Sequence, residues 1–394
     1  MIFHCARPTL TFSQFTSQPS EGEGSFRLRP SSEALLRARA PGAKKASLTL
    51  ASHLLRPRVA RAQKIIRPHP LLCSASTGTG QAARPFSSFY PPPLPVLFLL
   101  PMNHPNHPLK PGTLWSTLLE RTAHARERRA ILSIPTEPEM IEQGGVAFQV
   151  RVITALAMKA LITAAKSNND PFLPYDPDLF VAEVSPTHVA LLNKFNVVDH
   201  HLVIVTRSFE PQETLLTRED CAALLICLAE IEGLAFYNAG PAAGASQRHK
   251  HLQLIPLSAL PEALLPIEPL LRSVQMAGAT GTVPGLPFLH AYAQMDPAWI
   301  DQRRDGASSL LACYHSLLRS VWLSVEAPSV PYNLLVTRRW LLLVPRSKEF
   351  FEGISVNALG FAGALLVKDA AQLAILRKHG PMTALQRVAL PQKT

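Results

Sequence analysis

Gly244-Ala245-Ser246-Gln247-Arg248-His249-Lys250-His251-Leu252-Gln253-Leu254-Ile255-Pro256 sets two histidines and a glutamine at a spacing of two, behind a loop of small residues. Residues two apart in a β-strand share a face. His249, His251 and Gln253 therefore line one side, while Lys250, Leu252 and Leu254 point the other way, the leucines toward a core. Two imidazoles and a carboxamide presented together to a pocket are a catalytic constellation suited to phosphate chemistry. The stretch predicts a strand over 250–255 and a glycine-containing loop over 238–248.

Outward from that strand, hairpin-like runs and separate helices alternate irregularly. Strands are expected at 234–237, 179–184, 189–193 and 201–206, and an alternating one at 146–153 (Val146, Phe148, Val150, Val152). The longest helical pattern, 215–233, has Thr217 as its N-cap and Asp220 at the third helical position. Further helices are expected over 113–132, 158–165 and 308–324, with loops at 167–177 and 194–200 and a looser Pro/Gly/Ala region at 258–288. Strands at 332–337 and 340–344 close the pattern. This order argues for an α+β fold with an antiparallel sheet flanked by helices, not for βαβ units. No GxGxxG or GxxxxGK[ST] occurs, so neither a dinucleotide fold nor a P-loop is indicated.

The formal charge of +11 is concentrated at the N-terminus. Residues 1–101 hold thirteen Lys/Arg against Glu21, Glu23 and Glu33, whereas the remainder has 26 basic against 25 acidic residues. A nearly neutral body has no footprint for nucleic acid. The basic, hydroxyl-rich extension reads either as a plastid or mitochondrial transit peptide or as a mis-called start before Met102, which would leave the protein cytoplasmic. The apolar run 94–100 is too short to span a bilayer and is interrupted by Pro95, so no membrane partner is expected. Five cysteines without a CxxC pair suggest free thiols, with Cys221 and Cys227 in the core.

With Asn238, Gly240, Gly244-Ala245-Ser246-Gln247 and His249-Lys250-His251-Leu252-Gln253 in view, the chain resembles the ATP adenylyltransferases, the diadenosine tetraphosphate phosphorylase branch of the histidine-triad (HIT-like) superfamily. Pro171-Phe172-Leu173-Pro174-Tyr175-Asp176, Leu191-Leu192-Asn193-Lys194-Phe195-Asn196 and His200-His201-Leu202 are similar to its N-terminal half. Tyr332-Asn333-Leu334-Leu335-Val336-Thr337-Arg338-Arg339-Trp340, Val344-Pro345-Arg346-Ser347 and Asn357-Ala358-Leu359-Gly360 are similar to its C-terminal part. The resemblance implies three regions: the extension 1–101, a HIT-like catalytic domain over 102–257, and a C-terminal adenylyltransferase domain over 258–394 that completes the same fold unit.

It also implies roles. His251 would attack an α-phosphorus and carry AMP, Gln253 would bond a non-bridging oxygen, and His249 would orient His251. Gly244, Ala245, Ser246 and Gln247 would line the polyphosphate, with Asn193, Lys194 and Asn238 as further phosphate or ribose contacts. The implied partners are a dinucleoside polyphosphate, ATP, ADP and phosphate. No covalently bound cofactor is expected, though magnesium could accompany the substrate. Other readings stay open at this point: a zinc pair at His249 and His251, a structural His200-His201 pair, and an Arg338-Arg339 pair that is either solvated or on phosphate. A hydrolase or uridylyltransferase, and a nucleotide-sensing module without turnover, are the competing functions.

Overall fold

The computed structural model describes residues 109–154, 170–260, 263–301, 303–327 and 330–392. The extension 1–101 and the helix expected at 158–165 lie outside the described residues. Ten strands form one antiparallel sheet: β3 (Phe180–Glu183), β4 (His188–Leu192), β5 (Leu202–Thr206), β6 (Gly233–Ala239), β7 (His251–Pro256), β8 (Gln275–Ala277), β9 (Thr280–Thr282), β10 (Ala291–Gln294), β11 (Tyr332–Val336) and β12 (Trp340–Pro345). Their spatial order is β3-β4-β5-β7-β6-β11-β12-β10-β9-β8. β6 and β11 pair in the middle, with Asn238 opposite Asn333. The sheet therefore takes strands from both sides of residue 258.

Both faces of this sheet are covered, which is why β4, β5, β6, β11 and β12 are buried along their whole length and read as continuous apolar runs. One face carries Leu202, Ile204, Leu252, Leu254, Ala235 and Tyr237. It packs on helices α1 (Leu114–Glu127), α2 (Arg218–Glu230) and α3 (Arg303–Ser320). The opposite face, from Leu234 and Phe236 to Leu335 and Leu342, is covered by a second layer. That layer holds a sheet of β1 (Thr136–Gln143), β2 (Val146–Ile153) and β15 (Ala364–Val367), with β15 parallel to β2. The C-terminal helices α4 (Ala370–His379) and α5 (Pro381–Val388) and the small hairpin of β13 (Phe350–Phe351) and β14 (Ile354–Ser355) complete it.

Helix α2 begins as its sequence dictates. Thr217 accepts from the Asp220 amide, and the Asp220 carboxylate accepts in return from the Thr217 amide at 2.7 Å. It stops at Glu230, short of the expected Gly233, because Gly233 is already the first residue of β6. A Cβ there would lie 2.5 Å from the Ile255 carbonyl of β7, so the close approach of the two strands requires glycine. Strand β1, with the sequence Thr-Glu-Pro-Glu-Met-Ile-Glu-Gln, was not expected, since three acids and a proline hide its pairing potential.

Candidate active site

Strand β7 begins at His251, so His249 lies just before the strand, held by a bridge to Pro211. The shared face survives this difference. The Phe172 ring packs 5.7 Å from the His249 ring and 5.3 Å from the His251 ring. Lys250 points the other way, fully buried toward the helix layer, with its ammonium 2.6 Å from Asp220. A buried cation is tolerable only when paired, and Asp220, also bound by His188 at 3.0 Å, supplies the partner. The ion pair ties the start of α2 to the strand that carries His251.

His251 is nearly inaccessible, and its orientation is over-determined. Its Nδ1 donates to the His249 carbonyl at 2.8 Å, which fixes the tautomer and leaves Nε2 with a free lone pair. Burial pushes its pKa down to about 4, only partly opposed by the hydrogen bond to the His249 carbonyl, so the imidazole is neutral at physiological pH. Its backbone is held by a residue that the sequence did not flag. The Gln212 carboxamide accepts from His251 N–H at 2.8 Å and donates to the His251 and Asn238 carbonyls at 3.1 and 2.9 Å. Paired registers of β6 and β7 end at Phe236 and Gln253; beyond them Gln212 replaces the missing strand partner.

His249 acts on His251 through its main-chain carbonyl. Its ring is turned to other partners: Nδ1 to Asp170 at 2.8 Å and Nε2 to the Thr206 carbonyl at 2.8 Å. The Thr206 hydroxyl also lies 3.0 Å from Nε2, so both ring nitrogens of His249 are occupied by protein groups. Among the described residues no cluster of three or more His, Cys, Asp or Glu is placed to hold a metal. Asp170 and Phe172 come from a loop about eighty residues away in sequence; Phe172 lies in the stretch 171–176 quoted above, whereas nothing local marks Asp170.

The loop before the strand is a single 3-10 turn between Gly240 and Gly244, both with positive φ. A Cβ on Gly244 would sit 2.8 Å from the Asn357 side chain, so the turn is pressed against the C-terminal layer. The Gly244 and Ala245 amides are used inside the turn, donating to Pro241 and Gly240 carbonyls. Of the four residues expected to line phosphate, Ser246 and Gln247 therefore retain amides without a hydrogen-bond partner among the described residues. Beneath the turn lies Arg346, buried and partnered by carbonyls and one amide. It donates to Asn333 Oδ1 at 2.5 Å and to the Ala243 carbonyl at 3.2 Å, and its pKa is depressed by burial to about 10.

Other expected residues fall as follows. Asn238 is buried, its Oδ1 accepting from Asn333 at 2.8 Å and from the Ala358 amide at 3.0 Å. Asn193 is half-buried beside His201, and Lys194 is exposed. Arg338 donates to the Leu228 and Ala229 carbonyls, closing the C-terminus of α2, and Arg339 pairs with Glu268; both are occupied structurally. A cleft of about 780 Å³ opens between Trp115, Thr136, Arg151, Asn196, His200 and Ser258. None of the expected site residues lines it, so volume alone does not locate the chemistry.

A neutral, oriented histidine on an antiparallel sheet, next to a glycine turn, is an arrangement suited to nucleophilic attack on phosphorus. Comparison with known proteins carries this to a family. The N-terminal domain of Ap4A phosphorylase matches residues 104–273, and the ATP adenylyltransferase C-terminal domain matches residues 284–391. The chain belongs to this Ap4A phosphorylase/ATP adenylyltransferase family of nucleotidyltransferases. Diadenosine 5',5'''-P1,P4-tetraphosphate phosphorylase 2 of Saccharomyces cerevisiae is 29% identical over 291 residues, covering 64% of this chain and 85% of that protein. Protein APA1 of the same yeast is 32% identical over 199 residues, covering 45% and 61%. In fold, the chain is similar to the crystal structure of yeast Ap4A phosphorylase Apa2, with a TM-score of 0.60 at 24% identity over 71% of this chain and 98% of that one. The same protein in complex with Ap4A gives a TM-score of 0.59 at 23% identity, over 71% and 98%.

Proposed function

We propose that this enzyme phosphorolyses diadenosine 5',5'''-P1,P4-tetraphosphate to ATP and ADP through an adenylyl-histidine at His251. The observation that carries the mechanism is the hydrogen bond from His251 Nδ1 to the His249 carbonyl, which leaves Nε2 as the only nucleophilic nitrogen. Nε2 attacks one α-phosphorus, an N–P bond forms, and the bond to the β-phosphate oxygen breaks with its electron pair leaving on ATP. A phosphate oxygen then attacks the same phosphorus, the N–P bond breaks, ADP departs and neutral His251 returns. The intermediate carries positive charge on the ring, and the His249 carbonyl that accepts from Nδ1 stabilises it.

Gln253 donates to a non-bridging α-oxygen, and the Ser246 and Gln247 amides face the remaining phosphates. Donors aimed at charge that develops during reaction contribute roughly 3–4 kcal/mol each. Magnesium, if used, arrives on the polyphosphate. Run backwards, the sequence makes the dinucleotide from ATP and ADP, and sulfate in place of phosphate is a side reaction of the same intermediate.

Substrate labelled at the α-phosphate tests the reading. Incubated without phosphate, the protein should retain one label, released as ADP when phosphate is added. The His251→Ala protein should take up none. Label lost to AMP at the same rate with and without phosphate would make the enzyme a hydrolase, and unaltered turnover by His251→Ala would remove the nucleophile assignment.

A further inference from the structure

His201 is adjacent to the catalytic residues without a part in the reaction described above. It precedes β5, and because Val203 pairs with Gln253, residue 201 is a diagonal neighbour of Gln253 on the same sheet face. The ring is buried and packs 5.9 Å from Phe236.

The hydrogen bonds on its Nδ1 side fix its tautomer. The Phe195 amide donates to Asn193 Oδ1 at 3.1 Å, which identifies that atom of Asn193 as the oxygen. The Asn193 nitrogen then lies 3.1 Å from His201 Nδ1 and must donate to it, since an amide nitrogen cannot accept. His201 therefore carries its proton on Nε2. That buried N–H has no hydrogen-bond partner among the described residues, and the strand register sets the Gln253 side chain diagonally beside His201 on the same sheet face. An N–H there favours the Gln253 oxygen over its nitrogen. Desolvation holds His201 down to about 4, so the order of donors and acceptors persists at physiological pH.

We infer that His201 is a positioning residue that sets the amide of Gln253, turning its oxygen inward and its NH₂ toward substrate. A carboxamide at the third motif position is ambiguous, because either end could face a phosphate oxygen. Only the NH₂ can bond it, and the oxygen would repel it. The series Phe195 amide, Asn193, His201, Gln253 removes that ambiguity before substrate binds. The inference rests on Gln253 contacting the α-phosphate, as in the mechanism above.

Imidazole ¹⁵N shifts of the full chain report the tautomer directly and need no variant. The Nε2–H form is expected at His201 from pH 6 to 8; an Nδ1–H form would overturn the assignment. In kinetics, His201→Phe should lower the rate of adenylyl-enzyme formation by about tenfold to a hundredfold and leave KM for the dinucleotide within about threefold. In a Gln253→Ala background the same substitution should have almost no further effect, since His201 acts only by orienting the Gln253 amide. Full additivity of the two substitutions would refute a positioning role, as would wild-type kinetics in a folded His201→Phe protein. If the unsubstituted enzyme never acquires the label on His251, the mechanism itself fails, and the ¹⁵N tautomer still reports on His201 separately.

Discussion

At the scale of single residues, the site works by exhausting alternatives. His251 has one lone pair left because its other nitrogen is bound to a carbonyl. His249 has both ring nitrogens taken up by protein groups, Asp170 on one side and Thr206 on the other. Asp170 is the partner most open to test. Asp170→Asn preserves shape but offers the His249 ring a neutral group, free to present its NH₂. The His249 ring and the carbonyl that steers His251 would then shift together. A misplacement of about 1 Å in a reacting group costs on the order of a hundredfold, so kcat should fall by about that factor with KM little changed. Stopped-flow measurement of label transfer to His251 would read it; a loss confined to KM would place Asp170 in binding instead.

At the scale of elements, the site is built where two strands part. β6 and β7 pair up to Phe236 and Gln253 and then diverge so that the turn at 240–244 fits between them. Divergence strands the backbone groups of His251 and Asn238, and the Gln212 carboxamide satisfies them. In Gln212→Ala these buried groups lose their partners, each costing roughly 1–3 kcal/mol. The urea midpoint should drop, and label transfer should slow by more than tenfold even at temperatures where the variant is fully folded. Equal loss of stability with unaltered transfer would make Gln212 a purely structural wedge.

The elements also separate what the sequence could and could not reveal. Strand β7, α2 with its Thr217 cap, and the apolar runs of β4, β5, β11 and β12 were legible because local patterning and burial agree. The spacing of His249, His251 and Gln253 marked the strand that carries the proposed nucleophile. Asp170, Gln212 and Arg346 were not legible as site residues, for each reaches the site across a long sequence separation by a single side chain. The role expected of Gly244 and Ala245 was overestimated for a related reason: small residues signal close approach, but whether their amides point outward depends on the turn type.

At the scale of the whole molecule, acid should unfold the protein before it stops the chemistry. His251 and His201 are each buried and held near 4, against about 6.5 in an unfolded chain. Between those values the unfolded state binds protons that the folded state refuses, so stability falls as pH drops from 6.5 toward 4. It is fully present above 6.5. Each group contributes at most on the order of 3 kcal/mol over that window, and burial shifts His200, His290 and His315 in the same direction. His251, the proposed nucleophile, by contrast stays unprotonated throughout most of the window. Urea titrations at pH 7 and pH 5 should show a lower midpoint at pH 5, while label transfer by the folded fraction stays within about threefold. Replacing His201 by Phe should shrink the pH dependence of the midpoint. If the midpoint is flat between pH 7 and 5 while label transfer falls tenfold, His251 titrates in the ordinary histidine range, and the buried environment described for it is wrong.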